Sequence, residues 1–336
     1  MLKWELKKIT KDKSNIIALV LMIILFLQIS FMKPMLETQN EYFNESKNEY
    51  FVDQRSKEVI ANEKLKSKVE EISSLSKSIS LDKEVSDMSK EKLKLDNGVK
   101  YQDVNFYKVL SHRIDFGLSI VIMTIIIVMI SSNLYIEEQL SNVSSIILSS
   151  KNKEKVLYSK LAIAIFLPIV LYGIYIGGTS LITYIQYGQP LNGSLQAYRI
   201  SDVAMLIKNM TINQYVISKM ITSTLMLTGI SIVSLLCSFV SNNSVKSIGL
   251  SVGFIAIGKI LTMFKFLPST VLTLVSLGNY VDVMIGMSKI SGFYNVTINI
   301  LSKSFDISSL CISGYVAIIL VSVLGNIYCI KKVLTK

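Results

Sequence analysis

Four kinds of side chain in this sequence could do chemistry: three cysteines, one histidine, a glutamate pair, and lysines set in or beside apolar runs. Cys237, Cys311 and Cys329 all lie in apolar stretches and form no Cys-x-x-Cys spacing. They suggest neither a zinc frame nor a disulfide scaffold, and read as small buried hydrophobes. His112 is the single histidine, beside Arg113 and Asp115 at the border of an apolar run. One imidazole completes neither a zinc site nor a Ser–His pair here, so it reads as a solvated interfacial residue. No catalytic residue and no metal site is expected. Lys259 lies well inside an apolar stretch, and Lys265 follows it just before Pro268. A charge at membrane depth is costly and faces protein or a water-filled cavity. These lysines either line the path of an anionic or amphipathic substrate or snorkel to the membrane edge. The glutamates, Glu137 and Glu138, open a short loop rich in apolar residues and lysine.

The elements that must position these groups are set by hydropathy. The 336 residues are 51% hydrophobic and only 18% charged, against about a quarter charged in soluble domains. Charge is also gathered into blocks, which argues against a soluble enzyme and against a disordered chain. Six apolar stretches approach or exceed the ~17–25 residues a spanning helix needs: 16–32, 116–134, 161–185, 216–240, 248–264 and 307–330. Backbone groups in lipid must be satisfied internally, so each reads as a helix. The expected fold is an all-α polytopic membrane protein with six transmembrane helices.

Orientation follows from the lysines. Residues 1–15, 135–160, 241–247 and 331–336 together hold 13 lysines against 5 acids, so these segments and both termini are expected in the cytoplasm. The apolar run ends at Met32-Lys33-Pro34 without a small-residue cleavage site, as in an uncleaved signal anchor. Leu2, Leu6 and Ile9 share one helical face, with Trp4 suited to headgroups. Residues 1–15 therefore read as an amphipathic helix on the inner membrane surface, in contact with lipid. Between the other spans lie extracellular segments at 186–215 and 265–306. No basic module with interleaved aromatics occurs, so nucleic acid is excluded as a partner.

The 33–115 insert carries 15 basic and 16 acidic residues. Leu36, Phe43 and Tyr50, then Leu65, Val69, Ile72, Leu75 and Ile79, recur at heptad-like spacing. Ser80 and Asp82 could cap a return helix, and Asp96-Asn97-Gly98 is a turn signal. The expectation is a helical, hairpin-like extracellular stalk between the first two spans. Residues 266–305 alternate apolar runs with Pro268, Gly278-Asn279, Asp282, Gly286 and Gly292. That suits irregular backbone buried in protein or lining water.

The loop 135–160 carries the functional signal. After Glu137 and Glu138 come Val143, Ile146, Ile147 and Leu148, spaced for one face of a short helix, then Lys151, Lys153, Lys155 and Lys160. Such a helix can lie on lipid or dock into a groove on a soluble partner. The loop resembles the signature of the ABC-2 type transporter permeases. There an acid after the second span is followed by a Gly-Thr pair, a coupling helix, a basic turn and a Lys opening the third span. Glu138 matches the acid, and Ile146-Ile147-Leu148-Ser149 the end of the coupling helix. Lys153 or Lys155 matches the basic turn, and Ser159-Lys160-Leu161 the opening of the third span. Ser141-Asn142 or Asn142-Val143 stands near the place of Gly-Thr, and the Pro common before the basic turn is missing. The layout also resembles that family: inner-surface helix, six spans, both ends inside, and re-entrant half-helices before the last span.

The resemblance implies a permease subunit in a cell membrane, coupled through this loop to two copies of a separate ABC ATPase and paired with a second permease chain. ATP and magnesium would belong to that partner, since this chain has no Gly-x-x-x-x-Gly-Lys-Ser/Thr run, and no cofactor is expected on it. The expected cargo is amphipathic, a peptide or lipid-like antibiotic. The Lys-, Ile-, Asn- and Ser-rich composition suits an AT-rich Gram-positive bacterium, where antimicrobial export or self-immunity would fit. Two other readings stand beside it: a membrane-anchored receptor or sensor acting through the 33–115 insert, and a channel or secondary carrier.

Overall fold

The computed structural model describes residues 4–5, 7–8, 13–44, 48–77, 83–95, 100–264, 267–286, 289–294, 297–300 and 303–335. Leu2, Leu6, Ile9, Ile79, Ser80, Asp82, the Asp96–Gly98 turn and Lys265 lie outside these described residues. In chain order the helices are α1 (Lys13–Phe31), α2 (Lys57–Lys77), α3 (Lys83–Leu95), α4 (Asn105–Ile114), α5 (Gly117–Asn133), α6 (Ile136–Leu140), α7 (Val143–Ser149) and α8 (Lys153–Tyr187). They continue with α9 (Ile212–Val240), α10 (Ser244–Leu261), α11 (Ser269–Gly278), α12 (Tyr280–Ile285) and α13 (Ile307–Leu334). The described residues also form two antiparallel hairpins, β1 (Glu41–Asn44) with β2 (Glu49–Val52) and β3 (Thr297–Ile300) with β4 (Lys303–Asp306), and short 3-10 turns at Ala197–Ile200 and Ala204–Leu206.

By length and composition, α8, α9, α10 and α13 can each cross a membrane. A fifth span results if α4 and α5, which meet at a 45° bend, are taken as one. Residues 16–31 of α1 and all of α11 are shorter apolar helices. This architecture is compatible with a helical multi-pass membrane protein.

Helix α9 is the hub, packed against α5, α8, α10 and α13. Its buried face carries Thr222, Ser223, Thr228, Ser231, Ser234 and Ser238. Small residues let helices approach closely where no water drives them together, and their hydroxyls reach across. Ser231 and Ser131 of α5 bond at 2.8 Å. Asn326 of α13 donates to the Ile232 carbonyl at 3.0 Å, and Ser247 of α10 to that of Ser132 at 3.0 Å. Gly178 of α8 serves the same end: a Cβ there would meet the Phe26 ring of α1 at 2.3 Å.

Two buried cations pin the insert-side end of the bundle. Arg113 closes α4 and donates to the Met32 carbonyl (3.0 Å), to Thr183 Oγ1 (2.8 Å) and to Gln186 of α8. Lys219 of α9 pairs with Asp115 Oδ2 at 3.0 Å, donates to Ser111 Oγ at 3.0 Å, and sits over the Tyr215 ring.

The 33–115 insert departs from the expected stalk in two ways. Its first third is a β-hairpin, not a helix: Phe43 stands opposite Tyr50 across the ladder. Aromatic residues such as Tyr42, Phe43, Tyr50 and Phe51 favour strand pairing there. The rest is helical, and α2 and α3 pack together, yet they are seated on the chain's own loops. Leu65, Ile72, Tyr198 and Ala204 form one buried cluster. Lys92 donates to the Ala204 carbonyl at 3.3 Å, and Tyr294 to Glu84 at 2.6 Å. Glu37 takes Lys68 at 2.7 Å and Lys108 at 2.9 Å. The thin α2 seam is thus completed by residues 197–206 rather than by a second long helix.

Burial lowers the Lys92 ammonium to about 8, from an ordinary 10.5. Between those values the folded side chain is neutral while the unfolded chain still binds the proton. The seat of α3 should therefore strengthen as pH rises from 8 to 10.5, by on the order of 1–3 kcal/mol, and be flat below 8. Melting of the insert followed across this range should show the slope, and Lys92→Met should remove it.

Candidate functional site

The loop between α5 and α8 folds as two short helices on an ion cluster. Chain direction changes after α5 because Ser238 of α9 accepts from the backbone N–H groups of Tyr135 (3.2 Å) and Ile136 (3.3 Å). Helix α6 follows and ends at Ser141, whose N–H returns to the Glu137 carbonyl. Asn142 then takes φ 56°, a left-handed conformation that asparagine tolerates and glycine favours. This sharp turn launches α7.

None of the α7 residues is buried. Ile146 is 68% exposed, while Val143, Ile147 and Leu148 are half-buried. Leu148 packs at the margin of a core formed by Leu134, Tyr135, Leu157 and Leu161. The helix therefore rests on one apolar edge and presents another, with Ile146 at its centre. Lys153 opens α8 and donates to the Leu334 carbonyl at 3.3 Å, tying the loop to the end of α13. Lys155 is exposed.

Beneath α6 and α7 the charges close on themselves. Lys160 of α8 has 0% of its side chain exposed. Its three donors meet Glu138 Oε1 (2.7 Å), the Leu134 carbonyl (2.8 Å) and Glu5 Oε2 (3.2 Å). Glu138 is 1% exposed and also accepts from Lys8 at 3.1 Å. Two acids and two lysines neutralise one another, as burial of charge requires. The cluster joins the N-terminal segment, α6 and α8.

Glu138 and Lys160 of the sequence-derived set thus meet, but inside the protein. Their position argues for holding the loop rather than touching a partner. Val143, Ile146, Ile147 and Leu148 do come together on one short helix. Glu137 is half-buried in α6 beside them. Lys259 is elsewhere, in the last turn of α10, where Asp282 of α12 grips it at 2.7 and 2.9 Å. Sequence reasoning missed Glu5 and Asp282 as partners. Each is an acid beside a lysine-bearing element, and only the fold reveals which lysine it meets. Among the described residues no group of three His, Cys, Asp or Glu side chains could hold a metal ion. No family model, curated protein or solved structure matches the chain.

Proposed function

We propose that this chain is the membrane-spanning permease subunit of an ABC transporter, with α7 as the helix that docks on a separate ATPase. The observation that carries this reading is a short helix that exposes Ile146 while Leu148 packs on the core beside a 35-residue helix. An isolated apolar side chain on a surface is ordinary. An exposed isoleucine at the centre of a short helix, whose other apolar edge packs on the protein, suits a groove in a soluble partner. Asn142 at φ 56° adds support where Asn142-Val143, rather than Ser141-Asn142, is set against the Gly-Thr pair of the resembled pattern, since glycine favours that conformation.

In this reading α1, α5, α8, α9, α10 and α13 make six spans in a cell membrane, both termini are cytoplasmic, and α11 and α12 form the re-entrant pair. Two permease chains and two ATPases would make the working assembly. Closure of the ATPases on ATP would move the docked loops and shift the bundle between two states. The cargo would be an amphipathic molecule such as a peptide or lipid-like antibiotic.

Ile146→Asp tests this directly. The side chain is open to solvent, so the variant should fold and elute normally in detergent. The parent chain, tagged and purified gently from its native host, should bring down a stoichiometric ATPase; the variant should retain less than a tenth of it. Recovery of the parent chain alone, still folded and functional, would sink the reading and move the weight to the 33–115 insert.

A further inference from the structure

Helix α7 does not stand alone at the foot of the bundle. Lys153 donates to the Leu334 carbonyl at 3.3 Å, so the last turn of α13 lies against the turn that opens α8. Leu148, Val333 and Leu334 pack on the same buried core, which includes Leu134, Leu157 and Leu161. Two segments 181 residues apart thus build one surface. Its apolar part is Ile146, joined by Leu140 at the end of the neighbouring α6, 59% exposed.

Around these residues lies positive charge that no acid takes up. Lys151 and Lys155 of the loop and Lys331 and Lys332 of α13 are all exposed. Among the described residues none of these four is paired with an acid. Glu5 and Glu138 are already held by Lys8 and Lys160. The remaining acids of the same segments are Glu137, half-buried, and Glu154, exposed. If both are set wholly against the four lysines, two positive charges are still left over. Lys153 adds another, since the carbonyl it bonds does not neutralise it.

Where this charge sits decides what it meets. The apolar run of α8 begins at Leu161, and the helix begins eight residues earlier at Lys153, about 12 Å away at 1.5 Å per residue. A headgroup layer is only about 5–7 Å thick on each side of the hydrocarbon. Lys151, Lys153 and Lys155 therefore stand beyond the phosphates, facing water. A protein that comes from the water to cover an apolar anchor ringed by lysines has to bring carboxylates with it.

We propose that α7, the turn into α8 and the last turn of α13 form one docking surface, and that its partner is a soluble protein whose pocket for Ile146 is rimmed by aspartate and glutamate. The inference rests on the reading of α7 as the ATPase-docking helix. It adds the chemistry of the partner's surface and a second segment, α13, to the site. Charge steers the partner in, and the apolar anchor sets how long it stays.

The test uses the full chain, tagged and purified gently from its native host with the ATPase it carries. The readout is release of that ATPase as sodium chloride rises from about 0.1 M to about 1 M, over which the screening length falls from about 10 Å to about 3 Å. The parent should release most of it. All four side chains are exposed, so Lys151→Gln, Lys155→Gln, Lys331→Gln and Lys332→Gln together should fold and elute normally. That variant should hold the ATPase about thirty-fold more weakly at the lower salt, the sum of four exposed ion pairs, and lose the salt dependence. Lys331→Gln with Lys332→Gln alone should weaken it about five-fold. An ATPase held equally at both salts and by the four-fold variant overturns the inference and leaves the permease reading standing. So does a four-fold variant that keeps the ATPase but loses co-purifying phosphatidylglycerol, which would assign the lysines to lipid. Parent binding by the α13 pair variant removes α13 from the site and overturns the composite surface. A parent chain that carries no ATPase overturns both readings.

Discussion

Lys160→Met should destabilise the protein by about 4 kcal/mol, the cost of removing one partner from a buried ion group. The loss comes less from the bonds deleted than from what is stranded. Glu5 and Glu138 are each 1% exposed, and Lys160 is the cation that bonds both of them. Glu138 would keep its 3.1 Å contact with Lys8, but Glu5 would lose the 3.2 Å bond that Lys160 gives it. The triple variant Lys160→Met, Glu5→Gln, Glu138→Gln should recover most of the stability, because the one charge it leaves behind, Lys8, keeps 31% of its side chain open to solvent. Unfolding in graded SDS would measure both. If the single variant unfolds like the parent, the cluster does not hold the loop.

The second large effect belongs to Lys219. Lys219→Met should cost about 3 kcal/mol, toward the lower end for a broken buried pair, because Asp115 keeps 15% of its side chain open to solvent. Ser111 would also lose its donor. Adding Asp115→Asn should return more than half of the loss, and the same SDS titration would show it. If the double variant proves as unstable as the single one, packing of the lysine stem over Tyr215, not charge, is what matters at this site.

The sequence made the long elements legible, because each is an apolar run with polar flanks. The stretch 307–330, for example, lies within α13, Ile307–Leu334. The 33–52 region was not, and the reason is specific. Phe43 and Tyr50 are seven residues apart, which reads as a heptad. The same spacing makes them partners across a hairpin. Period alone cannot separate these when the run is short. The residues of the 135–160 loop were found by type and spacing, and α7 follows from the same apolar pattern. Its foundation was hidden, because the Lys160–Glu5 contact joins positions 155 apart. Nothing local to Glu5 marks it as the acid that will be buried. Lys259 was marked by its depth in an apolar run, yet Asp282 reads there only as one breaker among several.

Helix α8 is continuous from Lys153 to Tyr187, about 52 Å at 1.5 Å per residue. One end is gripped by the Glu5–Glu138 cluster through Lys160, and the other by Arg113 through Thr183 and Gln186. Pro168 interrupts the hydrogen-bond ladder between the two grips. Were the helix to tilt as a rigid rod about Pro168, its ends would lie about 22 Å and 28 Å from that point. A tilt of about 10° there would carry Tyr187 sideways by about 5 Å, and Arg113 with it. Motion imposed on the loop at one face would reach the root of the insert at the opposite face as a displacement of similar size and opposite sense.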